Sequence, residues 1–192
     1  ILVLTWSIIT KQVEAENHIW KLAHHDALTG LEHRHAFSQR ISPVDGASQV
    51  GSLLLISRVG LETVNDLSGR HVGEGVITQV AERLRRACQE QASHVGRLEG
   101  NQFAILVPYA KRERLESFSN RLVDVLGQPY WVGQKMLPGV TAVIGIVQRP
   151  QPGPGRDRLL APADIALPVA TSRPHGAVVL FHPGMERYLP GV

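Results

Sequence analysis

The chain has 192 residues, 43% of them apolar and 19% charged, a composition that can bury a core and excludes a disordered tail. That length holds one domain with an appendage rather than two packed domains. A formal charge of +3 and a pI near 9.4 come from scattered Arg pairs without an aromatic-interleaved basic stripe, which argues against nucleic acid as the partner.

The run Ile1 to Ile9 is apolar but far short of the roughly 20 residues that cross a bilayer, so it is not a complete membrane span. It has neither an initiator Met nor a basic leader, so it does not read as a secretory signal, and the chain reads as cut from a longer one. From Trp6 onward, Ile9, Val13, Trp20 and Ala23 recur at three- and four-residue spacing, with Glu16 the polar exception, which predicts a helix over residues 1–25. Two readings stand side by side: the end of a parallel signalling stalk that pairs two copies, or an amphipathic helix lying on its own domain.

Asp26 heads a turn built on Thr29-Gly30, where a carboxylate accepts backbone N–H bonds as a cap. The spacing of Leu31, Phe37 and Ile41 then predicts one helix. Residues 42–51 are rich in turn formers and read as a loop. Leu53 to Ile56 is a short continuous apolar run, expected as a central strand buried on both faces. Val72, Val76, Val80 and Leu84 mark a long helix that runs to about Cys88, with Arg83, Arg85 and Arg86 near its C-terminal dipole. Cys88, the sole cysteine, permits no intrachain disulfide and reads as a packing residue.

A β-hairpin follows, turning at Glu99-Gly100-Asn101-Gln102. Further on come a helix over 112–126, a strand over 140–147, a Pro/Gly-rich loop over 149–158, a helix opened by Pro162 and interrupted by Pro168, and a strand over 177–181. His24, His25, His33 and His35 invite a metal reading, but adjacent residues do not share a face and His33 and His35 lie two apart on a predicted helix. Packing or surface roles account for them better. Phe37, Phe103 and Phe181 are expected in the core.

With DALTGL at 26–31, VNDLSGRHVGEG at 64–75, RLEGNQFAIL at 97–106 and ADIALPVA at 163–170, the chain resembles the GGDEF family of diguanylate cyclases from about Asp26 to Phe181. The resemblance implies an α/β (α+β) fold of the nucleotidyl-cyclase type: a central, mostly antiparallel sheet flanked by helices, with an N-terminal signalling helix. It implies a domain over 26–183, a stalk over 1–25 and a linker over 184–192 toward an EAL domain, because VVLFHPGMER resembles the segment that joins the two.

In the family, carboxylates hold the divalent metal that neutralises the triphosphate. The matching positions here are Ser57, Val59 and Asn101, all uncharged. The signature turn reads Glu99-Gly100-Asn101-Gln102-Phe103, keeping only Gly100 and Phe103, and the phosphate-side lysines fall at Glu62 and Thr171. Of the guanine-reading pair Asn65 is kept and Glu74 stands for the aspartate, a vestigial nucleotide site. The inhibitory Arg-x-x-Asp site aligns with Glu90 to Ser93 and loses both charges, while Arg97 is retained. The resemblance therefore implies a degenerate domain with no catalytic residues, no metal and no cofactor. It would relay signals within a cyclic di-GMP receptor or phosphodiesterase similar to the LapD type of inside-out receptor. Its expected partners are the attached EAL domain and a second copy through the N-terminal helix. As a cytoplasmic domain it would meet the inner membrane only through other segments. An allosteric GTP-binding module without turnover is the alternative, and an active diguanylate cyclase with metal ligands relocated to residues such as Asp66 or Glu62 comes last.

Overall fold

Strand β2 (Ser52–Val59) lies at the middle of a six-stranded sheet, in a computed structural model that describes residues 20–21, 23–41, 51–89, 91, 93–148 and 177–181. The other strands are β1 (Glu32–His33), β3 (His94–Glu99), β4 (Gln102–Val107), β7 (Thr141–Gln148) and β8 (Val178–Leu180), in the order β1-β3-β4-β2-β7-β8. The three inner pairings are antiparallel, and the two outer ones, β1 with β3 and β7 with β8, are parallel. The expected mixed fold with a mostly antiparallel central sheet is the one observed.

The apolar run of β2 is continuous because both faces of the sheet are covered. Successive strand residues point to opposite faces. Leu54 and Ile56 therefore join Phe103, Ile105, Ile144 and Ile146 in one fully buried cluster, under helices α3 (Arg70–Gln89) and α4 (Arg112–Leu126). Leu53 and Leu55 join Ala104, Leu106 and Val143 in a second, covered by Phe37 and Ile41 of helix α1 (Arg34–Ile41). The helix over 112–126 begins and ends at the residues read from sequence.

The helix expected from Leu31 starts only at Arg34, because Glu32 and His33 form β1, paired with Gly96 and Arg97 of β3. Leu31 consequently packs in the α3/α4 cluster while Phe37 and Ile41 lie across the sheet, so the three do not form one helical face. Besides β1, three elements had no sequence counterpart. Helix α2 (Leu61–Ser68) is separated from α3 by Gly69, whose φ of 85° breaks the helical run. Strands β5 (Tyr130–Val132) and β6 (Lys135–Leu137) form a separate hairpin. Arg83 fastens its base, donating from Nη1 to the carbonyls of Val125 (2.8 Å) and Gln128 (2.9 Å) and from Nη2 to that of Pro129 (2.5 Å), with its guanidinium 4.0 Å above the Tyr130 ring.

The seam residues before Trp20, the loop over 42–50, the Pro/Gly-rich segment, the Pro162 helix and the 184–192 linker lie outside the described residues. At the described end of the first helix Trp20 is 55% exposed. Cys88 is buried, and burial pushes its thiol up to about 12. It should resist alkylation in the native protein at pH near 8 and react at the rate of a free thiol once denatured, which a thiol-reactive dye measures.

Candidate functional site

The turn that precedes β1 is organised by Asp26. Its Oδ1 accepts from the Thr29 N–H (2.9 Å) and hydroxyl (2.6 Å), as a cap does, and also from Arg97 Nη1 at 2.8 Å. Arg97, on β3, donates further to the Gly100 carbonyl from Nε (3.1 Å) and Nη2 (2.8 Å). One guanidinium thus ties the Asp26 turn to the β3–β4 hairpin turn. Burial pushes the Asp26 carboxyl up, but the hydrogen bonds from the Thr29 hydroxyl, Arg97 and the Thr29 N–H, with the Arg97 charge, outweigh it and hold the group below its usual range. Arg85 adds a bond from Nη2 to the Thr29 carbonyl at 3.1 Å, fixing α3 to the same turn.

Between this latch and the α2–α3 corner lies a cleft of about 690 Å³, lined among others by Asp26, Glu62, Asn65, Arg70, Glu74 and Arg97. The structure therefore gathers residues from four separate stretches of sequence. Asn65 projects from α2 across the start of α3. A Cβ on Gly73 would lie 1.8 Å from Asn65 Oδ1, so the side chain occupies space that only glycine leaves. That oxygen is buried without a hydrogen-bond partner. Gly73→Ala should gain roughly 1 kcal/mol of helix propensity and lose a similar amount to overpacking. Thermal melting should hence change little, while the Asn65 side-chain amide resonances shift as the group is displaced.

Glu74 carries an ion pair with Arg70, one turn earlier, at 3.0 Å from Nε, so its carboxylate is already engaged. Glu62 stands exposed in the first turn of α2, and Asn101 and Gly100 close the cleft from the hairpin. The lining holds three carboxylates, Asp26, Glu62 and Glu74, against two guanidiniums, Arg70 and Arg97.

Ser57 follows Ile56, the last β2 residue paired with β4, and so sits beside the turn closed by Glu99 and Gln102. Ser57, Asn101 and Gln102 are half-buried, Glu99 is exposed and Phe103 is fully buried. The Val59 side chain lies outside the described residues, as do Glu90 and Thr171. Among the described residues no group of three or more His, Cys, Asp and Glu is placed to hold a metal ion. The hydroxyl and amide at Ser57 and Asn101 do not match the carboxylate shell that draws Mg²⁺ away from its own water.

At the aligned inhibitory position, Ser93 donates its N–H to the Cys88 carbonyl at 3.2 Å and its hydroxyl to the Gln91 carbonyl, so this segment closes helix α3. The histidines form a ladder: His24 stacks on Trp20 with ring centroids 4.7 Å apart and faces His33 at 6.4 Å. His33 lies on β1 rather than on a helix, and its Nε2 is bonded to the Ala23 carbonyl, while His25 Nδ1 is bonded to that of Gly30. They pin the end of the first helix to the sheet. Arg97 has no role assigned from sequence, where its retention in the family motif is the available signal.

The family model "Diguanylate cyclase, GGDEF domain" matches residues 23–176. The bifunctional diguanylate cyclase/cyclic di-GMP phosphodiesterase MucR of Pseudomonas aeruginosa is 27% identical over 93% of this chain, which spans 26% of its length. Other curated relatives are spanned to a similar extent, 21% and 22%. The GGDEF domain of TpbB from the same organism superposes with a TM-score of 0.76 at 26% identity, over 86% of this chain and 98% of that one. The coiled coil and GGDEF domain of DgcB from Caulobacter crescentus, in complex with c-di-GMP, shares the fold at a TM-score of 0.78 and 20% identity, over 93% and 96%. With a family model covering most of its length, the chain belongs to the GGDEF family of diguanylate cyclase domains.

Proposed function

We propose that this domain is catalytically inactive and serves as a regulatory relay in cyclic di-GMP signalling. The observation that carries this reading is the charge of the cleft. Three carboxylates face it, and both arginines are engaged, Arg70 by Glu74 and Arg97 by Asp26. A triphosphate needs cationic partners, but both guanidiniums of this lining are already taken by carboxylates and Glu62 adds a further negative charge. The uncharged Ser57, Val59 and Asn101, with Glu99 in the signature turn, point the same way.

The relay would couple the N-terminal helix to a phosphodiesterase-type EAL domain of a longer, inner-membrane protein. The MucR relative, a bifunctional diguanylate cyclase/cyclic di-GMP phosphodiesterase, supports the pairing with a phosphodiesterase. The exposed Trp20 and Ala23 support a stalk that pairs two copies over a helix folded back on its own domain. No helix among the described residues is long and apolar enough to cross a membrane. The test is incubation of purified protein with GTP and Mg²⁺ and mass spectrometry for cyclic di-GMP; sustained product overturns the proposal.

A second reading, GTP binding without turnover, is favoured by Asn65, which lines the cleft with Glu74 and carries a buried Oδ1 without a hydrogen-bond partner. Calorimetry separates the two. Heat of binding with GTP and no product supports the module, and no heat up to about millimolar GTP, an affinity of only about 4 kcal/mol, supports a relay without nucleotide.

A further inference from the structure

Away from the cleft, helices α3 and α4 leave a groove of about 310 Å³ between their C-terminal halves. Its floor is apolar, Ala87 and Val125, and its rim carries three guanidiniums, Arg83, Arg86 and Arg121. The geometry points to this groove as a docking site for an acidic amphipathic helix of a partner protein, whose carboxylates would flank the rim arginines while an apolar side chain enters between them.

The three arginines differ in how they are held. Arg83 is immobilised by three carbonyls at and just beyond the end of α4 and by the Tyr130 ring, all neutral groups, so its charge is fixed in place. Arg86 is 77% exposed and paired with Glu82 at 3.1 Å, a surface bridge of a kind worth under about 1 kcal/mol and easily exchanged for a partner carboxylate. Arg121 is exposed, 5.5 Å over the Phe118 ring. Two carboxylates are near on these helices, Glu82, which also pairs with Arg85, and the exposed Asp124.

A naked polyphosphate or nucleic acid fits less well. The groove lies toward the C-terminal ends of both helices, where the dipoles are negative and no free backbone N–H groups point outward. A compact polyanion would meet those ends and the apolar floor, and desolvate without compensation. Carboxylates spaced along a helix can reach the rim singly, and the apolar stripe between them gains from burial on Ala87 and Val125.

The probe is a fluorescein-labelled helical peptide of about 18 residues, five turns, with a leucine stripe flanked by glutamates. A scrambled peptide of the same composition, a single-stranded oligonucleotide and tripolyphosphate serve as competitors. The amphipathic peptide should bind and shift the amide resonances of Ala87 and Val125. Its affinity should fall several-fold between about 50 and about 200 mM salt. Arg86→Glu combined with Arg121→Glu should weaken it by about tenfold or more, with an unchanged melting temperature as the control for folding. Equal binding of the scrambled peptide, displacement by the oligonucleotide or tripolyphosphate instead, unchanged affinity in the folded double variant, or no binding would each overturn the assignment.

Discussion

Purified protein supplied with GTP and Mg²⁺ should form cyclic di-GMP at least roughly a thousandfold more slowly than an active member of the family. Metal stabilisation of a phosphoryl-transfer transition state is worth several kcal/mol, and each 1.4 kcal/mol or so is a factor of about ten. At Ser57 and Asn101 the described side chains are neutral, and the cleft adds Glu62 where a cation would assist phosphate. A combined Ser57→Asp, Val59→Asp, Asn101→Asp variant should bind Mn²⁺ at least about tenfold more tightly, because hard cations take their affinity from carboxylate count. It should still not turn over, since Glu62 and Glu99 remain. Paramagnetic line broadening reads the first effect and mass spectrometry the second. No gain in metal affinity would show that these three positions do not converge on one site.

Arg97→Ala should lower stability by about 2–3 kcal/mol, near the low end for breaking a buried ion pair. The Arg97 and Asp26 side chains are 13% and 26% exposed, so solvent replaces only part of the interaction. Truncation also removes both donors to the Gly100 carbonyl. For a domain of this size the melting temperature should drop by about 5–10 °C. The acid limb supplies a second readout. The Asp26 carboxyl, raised by burial but lowered further by its Thr29 and Arg97 partners, has a folded value below its unfolded one. Its stabilisation is therefore complete above the unfolded value near 3.8 and is lost as pH falls through the folded value. Glu32 behaves alike: burial raises it, while hydrogen bonds and charge from Arg40, with His25 and His94, lower it further. Arg97→Ala should thus flatten the loss of stability below about pH 4 that the parent shows, and Arg40→Ala should remove a separate part of it. An identical acid profile in the parent and both variants would mean that these carboxylates carry no such linkage.

Much of the sheet and helix framework was legible in the sequence because its signals are local. The apolar run at 53–56, the period of Val76, Val80 and Leu84, and the turn formers at 99–102 each encode an element within a few residues. What escaped was short or decided by distant partners. Strands β5 and β6 are three residues each, with only Tyr130 and Leu137 buried, and are held by Arg83 from α3. Glu32 and His33 follow a helical pattern in sequence yet pair with β3, since satisfying the backbone groups of β3 outweighs a weak propensity.

The site divides the same way. The identities at Ser57, Val59, Asn101, Asn65 and Glu74 are sequence facts, and the uncharged metal positions follow from them without any coordinates. The cap that Asp26 provides for the Thr29 turn was legible in the sequence, whereas only the tertiary structure decided that Arg97, 71 residues away, takes the same carboxylate. It also set α3 beside α4 so that Arg83, Arg86 and Arg121 rim one groove. The reason is physical: a residue's type fixes which bonds and charges it can offer, whereas the partner that takes them is set by packing between segments that the chain separates by tens of residues.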